Sequence, residues 1–405
     1  MTTARVLVTD AGHGSAIAVM RSLGRRGIAV IAADHDPRSP GFRSRYAAER
    51  VRYPDPADDP AGVVATLERE ARRRSVDLII PVTDGVLLPL AAARERFTGV
   101  AALAIPDPAA LRVVVEKDAT LDLARRVGVP VPASVPVRSV PEALRAAPGL
   151  GWPIVVKPVS SCRYDDSGVR ALKVSYADGP EALARQVAAV APGGGAILQR
   201  YYAGEGHGVE LLTDRGRPLA VFQHRRLHEV PITGGASALR ESVPVDPLLR
   251  DYATRLLAAI EWTGLAMVEF RVGPDGPVLM EVNGRIWGSL PLAVKSGVDF
   301  PAALAALYLG RRMNGATPPA APTAKIGVRS RNLRLELVWI ASVLRASRRY
   351  PFLEAPPRRA GALAALRLLS PRDGFDVLSR DDPVPGVLDA GRAIRNVARK
   401  AADAT

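Results

Sequence analysis

Two short apolar runs carry acids where acids are out of place. Met267-Val268-Glu269-Phe270 and Val278-Leu279-Met280-Glu281-Val282-Asn283 flank the turn Gly273-Pro274-Asp275-Gly276, and a carboxylate inside such a run needs a partner. Glu281 and Asn283 stand two apart on one predicted strand, so they share a face. Antiparallel pairing across the turn brings Glu269 alongside them. Three oxygen ligands on one sheet face suit a hard divalent cation, Mg²⁺ with Mn²⁺ as the alternative, that keeps water and phosphate in its remaining positions. An edge sheet with solvated acids is the competing reading. Arg285 comes two residues after Asn283, and a guanidinium there can bridge a γ-phosphate or a developing oxyanion; a plain salt bridge to Glu281 is the alternative.

Lysine is scarce, with 6 Lys among 55 cationic side chains. Where either cation serves, this chain uses Arg, so a remaining Lys points to a place that wants a compact ammonium. Lys157 closes the apolar strand Trp152 to Pro158, a costly position unless an anion sits opposite, and phosphate is the natural candidate. The polar turn that follows, residues 159–168, is able to fold over phosphate through hydroxyls and backbone amides. Near the start, Gly12-His13-Gly14 follows an apolar strand and opens a helical pattern, as a dinucleotide cradle does. The third glycine of that fingerprint falls at Ile17, so a tight strand-to-helix turn is the stronger reading. None of the five histidines has a Ser or Cys partner. His224 and His228, with Arg225 and Arg226 between them, can orient a carboxylate or take a proton from an amine, or else form a salt-bridged loop.

The elements that must position these groups begin with a βαβ unit, Arg5 to Asp34, and further α/β alternation to about residue 105, which predicts a doubly wound sheet. A helix over Asp118 to Val127 is stopped by Gly128-Val129-Pro130. A short helix near Glu142, alternating strands to about Tyr202, a helix over Asp246 to Glu261 and the acid-bearing hairpin follow. A chain of 405 residues with 48% hydrophobic and 24% charged side chains is predicted to bury two or three globular cores and is not disordered. The lone Cys162 forms no intrachain disulfide, no leader pattern precedes Arg5, and no apolar run is long enough to span a bilayer, so the expected location is the cytoplasm. From residue 311 onward there are 18 Lys+Arg against 8 Asp+Glu, which accounts for ten of the net charge of +14. Leu333, Leu337, Ile340 and Leu344 follow helical spacing inside 329–349, so that segment either packs on the body or lies on anionic lipid. It lacks spaced aromatic residues and any zinc pattern, so no specific nucleic-acid partner is expected.

The order of motifs resembles the ATP-grasp superfamily over roughly residues 1–310: Lys117 before a helix ending Gly-Val-Pro, then Pro-Ile-Val-Val-Lys-Pro, Ile-Leu-Gln-Arg-Tyr-Tyr-Ala-Gly-Glu-Gly, Val-Glu-Phe, and Leu-Met-Glu-Val-Asn-Gly-Arg. The stretch Phe222 to Pro244 most resembles uncharacterised ATP-dependent carboligases of that group. The resemblance implies a doubly wound pre-ATP-grasp domain at 1–115 and an α+β ATP-grasp domain at 116–310, and the charge and helical spacing beyond them predict a basic, mostly helical C-terminal extension at 311–405. It implies Lys117 and Lys157 on ATP phosphates, Gln199, Arg200 and Tyr202 at the adenine hinge, Glu205 at the ribose, Glu269, Glu281 and Asn283 on Mg²⁺, and Arg285 beside the transferring phosphoryl group. The implied reaction is ADP-forming activation of a small-molecule carboxylate for attack by an amine, with a second copy of the chain as a further candidate partner. A non-catalytic ATP-binding scaffold of the same fold, or a protein brought to membrane or nucleic acid by its basic end, is the rival.

Overall fold

The computed structural model describes residues 4–159, 162–165, 168–171, 174–191, 194–310, 324–345, 355–370 and 372–402, without the side chains of 160–173 or of those beyond 395. Residues 160, 161, 166 and 167 of the polar turn 159–168, the connection 316–323 and Arg348 and Arg349 therefore lie outside the described residues.

Near-continuous apolar runs form the first sheet. Strands β1 (Arg5–Val8), β2 (Ala29–Asp34), β3 (Ala47–Arg52), β4 (Leu78–Ile80) and β5 (Ala102–Leu103) pair in parallel in the order β3-β2-β1-β4-β5. Helices α1 (Gly14–Arg25), α2 (Pro60–Arg74), α3 (Asp84–Ala92) and α4 (Pro108–Val115) connect or follow them. Both faces are covered, as a parallel sheet requires: Val6, Val8 and Val30 pack on one side, Leu7, Ile31 and Ile79 on the other. The helix starts are written in sequence; Asp59 and Asp107 each accept a backbone amide at the cap, with proline as the next residue. At Gly12 the amide donates to Asp34 Oδ2 at 2.6 Å. The turn thus satisfies itself with a carboxylate, which repels a phosphate, and the tight-turn reading accounts for Gly12-His13-Gly14.

A small antiparallel layer follows α5 (Lys117–Arg126): β6 (Ser134–Val137), α6 (Val140–Leu150), β7 (Ile154–Pro158), the two-stranded β8 (Cys162–Asp165) and β9 (Gly168–Ala171), β10 (Ser175–Ala177), α7 (Pro180–Val190) and β11 (Ala196–Arg200). Its sheet order is β10-β7-β11-β6. Ile154, Val156, Ala196 and Leu198 pack on α6 and α7. Strand alternation therefore turns Val155, Lys157 and Gln199 to the opposite face.

The largest sheet is built from β12 (Glu205–Asp214), β13 (Arg217–Val230), β14 (Ala236–Ser242), then, after α8 (Pro247–Ala259), β15 (Gly264–Gly273) and β16 (Gly276–Asn283). Helices α9 (Leu290–Lys295) and α10 (Phe300–Leu309) pack with α1, and Trp287, Leu290 and Phe300 join one core with Val19 and Met20. Val209, Val268, Phe270 and Leu279 on the other face bury against α4, α5 and α8.

The basic C-terminal stretch is helical, through α11 (Leu333–Leu344), α12 (Arg358–Arg367) and α13 (Pro383–Ala402), and it also extends the sheet with β17 (Arg329–Arg331) and β18 (Asp373–Phe375), giving the order β16-β15-β12-β13-β14-β17-β18. The buried face of α11 is Glu336, Trp339, Ile340 and Val343, packed on Ala238, whereas Leu344 stays exposed. This is the packing role: Trp339 stacks on His228 with ring centroids 3.6 Å apart, and His228 Nδ1 lies 3.0 Å from Glu336. Among the described residues, no helix is long and apolar enough to cross a membrane.

Residues 373–382 clasp two layers together. Arg331 pairs with Asp373 and Arg240 with Asp376 at 2.5 Å on the large-sheet side. On the other side the buried Arg21 of α1 meets Asp382 at 2.9 Å and donates to the carbonyls of Val377 and Asp382. Asp382 also accepts from Ser44 Oγ and the Arg45 amide. Asp382→Ala leaves a buried guanidinium without its counter-ion, so chemical denaturation is expected to show a loss of about 3–5 kcal/mol, against about 1 kcal/mol or less for the exposed partner pair made by Arg125 and Asp122.

Candidate active site

The acids come together through hairpin register. The turn at 273–276 and a bulge at Met280 together pair Glu269 with Glu281 and Met267 with Asn283, so the three polar side chains share one face while Val268 and Val282 enter the core beneath. Asn283 Nδ2 sits between the carboxylates, donating to Glu269 Oε1 at 3.0 Å and to Glu281 Oε1 at 3.1 Å. Burial raises the pKa of Glu269, assisted by the neighbouring Glu281 and opposed by Arg226. Among the described residues no group of three His, Cys, Asp or Glu is placed to hold a metal ion by itself. Two carboxylates and an amide oxygen fit a Mg²⁺ ion that completes its shell with phosphate and water rather than one held in an all-protein cage.

Across the cleft, Lys157 projects from β7 on the face away from α6 and α7, next to Ile197 of β11. Burial lowers its pKa to about 8, while Glu281 and Glu269 pull it back up. Lys117, at the first turn of α5, donates to the Pro158 carbonyl at 3.1 Å; burial lowers its pKa and Glu281 again opposes this. The two ammonium groups and the two carboxylates therefore share one electrostatic neighbourhood, although they come from a helix and two different sheets.

At the hinge, Gln199 Nε2 donates to Ser134 Oγ at 2.9 Å, and its buried Oε1 has no donor among the described residues. The Arg200 amide donates to Ala133 and the Tyr201 amide to Pro153. The Tyr202 hydroxyl donates to Gly276 O at 2.7 Å, which ties the hinge to the acid-bearing turn. Glu205 is exposed, 3.4 Å from His207 and 3.7 Å from Arg225. Arg285 pairs with Asp84 of α3 at 3.2 Å rather than with Glu281.

His224 needs correction. It has no exposed surface, lies 2.9 Å from Glu210, and burial with two nearby arginines holds its pKa well below the usual imidazole range. Its partner Glu210 is pushed up to about 8 by burial and accepts from Ser289 Oγ. A ring so enclosed touches no substrate; it occupies space that Gly208 leaves, since any Cβ there would collide with it. Arg226 is turned toward the acids instead, 2.5 Å from Glu269 and 3.4 Å from Glu229. Sequence reasoning missed Arg271, which meets Glu229 at 3.1 Å and donates to Gly204 O. Its place two residues after Glu269 was the available signal, because period two puts both on one face.

The site thus sets Lys157 of the small antiparallel sheet and Lys117 of α5 against acids of the larger sheet. Residues 195–333 of this chain match the family described as ATP-grasp in the biosynthetic pathway with Ter operon. The chain is 26% identical over 265 residues to the carbamoyl phosphate synthase large chain of Thermus thermophilus, covering 63% of this chain and 24% of that one, so it spans about a quarter of that relative's length. Among solved structures, biotin carboxylase from Campylobacter jejuni in complex with a β,γ-ATP ligand superposes with a TM-score of 0.62 at 15% identity, over 81% of this chain and 74% of that one. N5-carboxyaminoimidazole synthetase from Staphylococcus aureus complexed with ADP gives 0.62 at 13% identity, over 82% and 83%. L-amino acid ligase from Bacillus licheniformis gives 0.58 at 17%, over 78% and 75%.

The lowered pKa of Lys157 sets a pH dependence. Below about 8 the ammonium is charged and available to an anion; above it the charge is lost. Calorimetric ADP affinity in the absence of metal is expected to fall as pH rises through about 8, with net proton uptake on binding above it, whereas Lys157→Arg removes this uptake because guanidinium keeps its proton. A flat affinity profile with no proton uptake in the parent protein rejects the assignment.

Proposed function

We propose that the protein is an ADP-forming ATP-grasp ligase that activates a small-molecule carboxylate as an acyl phosphate and passes the acyl group to an amine. The observation that carries the reading is the facing of Lys117 and Lys157 by Glu269 and Glu281 across one cleft. Phosphoryl transfer asks for alignment and charge neutralisation more than for a protein nucleophile. This cleft has the charges for that and no Ser or Cys nucleophile among its described side chains.

In this reading Lys117 and Lys157 hold the phosphates. The orphaned Gln199 Oε1 suits the exocyclic amine of adenine, alongside backbone groups of Arg200 and Tyr202, and Glu205 lies toward the ribose. Glu269, Glu281 and the Asn283 amide would hold Mg²⁺, which supplies charge neutralisation on the phosphate oxygens. Arg285, anchored by Asp84 at the boundary with the parallel domain, lies beside the transferring group and meets the carboxylate. A carboxylate oxygen attacks the γ-phosphorus and ADP leaves; the amine nitrogen then attacks the acyl carbon, and phosphate and a proton leave. Biotin carboxylase, N5-carboxyaminoimidazole synthetase and L-amino acid ligase among the structural neighbours support this reaction class.

Incubation with ATP, Mg²⁺, hydroxylamine and a panel of carboxylates is expected to yield hydroxamate and ADP in equal amounts with one or more of them. Glu281→Gln keeps the strand and loses a ligand charge. Its metal-dependent ADP formation is expected to drop by more than the roughly 10- to 100-fold that loss of an outer-shell partner costs, with an unchanged circular dichroism spectrum. ADP formation equal to the parent's in Glu281→Gln would falsify the metal assignment.

A further inference from the structure

Arg226 reaches Glu269 by an unusual route. It starts on β13 and its partner is on β15, with β12 lying between them. The crossing is open because β12 carries Gly206 there: a Cβ at that position would sit 2.9 Å from Arg226 Cδ and 2.9 Å from Glu229 Oε1. Gly206 is not at positive φ, so its backbone does not demand glycine; the crossing side chain does. The guanidinium is largely buried, 9% exposed, against Glu269 at 12%. Arg226 Nη1 also donates to Gly235 O at 2.9 Å, which fixes the fork from the far side.

The charges explain why a cation is stationed here. Glu269 and Glu281 are directly opposite on one rung of the hairpin, and like charges so placed repel. Only the Asn283 amide lies between them. Glu229 adds a third carboxylate, shared by Arg226 and Arg271. We infer that Arg226 is a resident counter-ion of Glu269, which keeps the acidic wall of the cleft assembled when no metal is bound, and that a divalent cation entering the site competes with it for the same carboxylate. This rests on the metal reading of Glu269, Glu281 and Asn283.

The two roles an arginine can play here predict opposite results. A group that only positions Glu269 raises metal affinity, so its removal weakens binding. A competing counter-ion lowers metal affinity, so its removal strengthens binding while destabilising the empty protein. The test uses the full chain without nucleotide: Mn²⁺ binding followed by electron paramagnetic resonance, and thermal unfolding in chelator and in Mn²⁺. Arg226→Gln is expected to bind Mn²⁺ roughly tenfold more tightly than the parent or better, as follows from removing one unit charge a few ångströms from the ion. It is expected to melt several degrees lower in chelator and to recover most of that loss with Mn²⁺. Arg226→Lys, which keeps the charge, is expected to fall near the parent. Gly206→Ala, which keeps the arginine and blocks its path, is expected to behave like Arg226→Gln, and covers the case in which that variant does not fold. Unchanged or weaker Mn²⁺ binding in both Arg226→Gln and Gly206→Ala overturns the inference. If the parent and Glu281→Gln show the same Mn²⁺ binding, the metal reading itself is wrong.

Discussion

Two carboxylates set opposite one another on neighbouring strands, one of them largely buried, repel and call for compensating positive charge. The site is arranged around that constraint. Asn283 places an amide between Glu269 and Glu281, Arg226 is brought across an intervening strand, and Lys117 approaches from α5 and Lys157 from a different sheet. Each of these cations is itself expensive to bury alone, so acids and bases are mutually required.

The layers can be understood as the means of keeping these charges close without letting them collapse into permanent pairs. Lys157 faces the cleft because Ile154 and Val156, on the other side of the same strand, are committed to α6 and α7. Glu269 faces it because Val268 and Phe270 are committed to the core under α8. The two apolar cores thereby hold the charged faces toward each other, and among the described residues Lys157 has no ion pair with either glutamate. A ligand that brings its own phosphates and metal replaces long-range attraction between walls by direct contacts to each of them.

Much of this was legible from local chemistry. The turn 273–276 sits between alternating runs and sets the register as far as Phe270 with Leu279, whereas the pairing of Glu269 with Glu281 also takes a bulge at Met280 that no turn signal announces. Proline and aspartate at helix starts, and continuous Val and Ile in the parallel strands, likewise act within a few residues. What escaped the sequence depends on distant neighbours. The burial of His224 and the direction of Arg226 follow from the missing side chains of Gly208 and Gly206 on an adjacent strand, which no window around His224 contains. Arg271 was hidden in plain alternation. The C-terminal stretch appeared mostly helical because β17 and β18 are three residues each and carry Arg, Ser, Asp and Gly; pairing of β17 with β14, and of β18 with β17, makes them strands. The face of α11 is rotated from the leucine stripe because Glu336 and Trp339 find partners in His228 that outweigh burying Leu344.

The clasp at 373–382 has a consequence for how the chain comes into being. Arg21 and Asp382 are 361 positions apart, and at about 5–20 residues per second of synthesis the first waits on the order of tens of seconds for the second. During that interval the opening βαβ unit can form its sheet, but its guanidinium has no acid and the Val19 and Met20 side of α1 lacks the α9 and α10 helices that complete its core. Until those later segments arrive, the guanidinium and that side of α1 lack the partners that bury them in the folded chain.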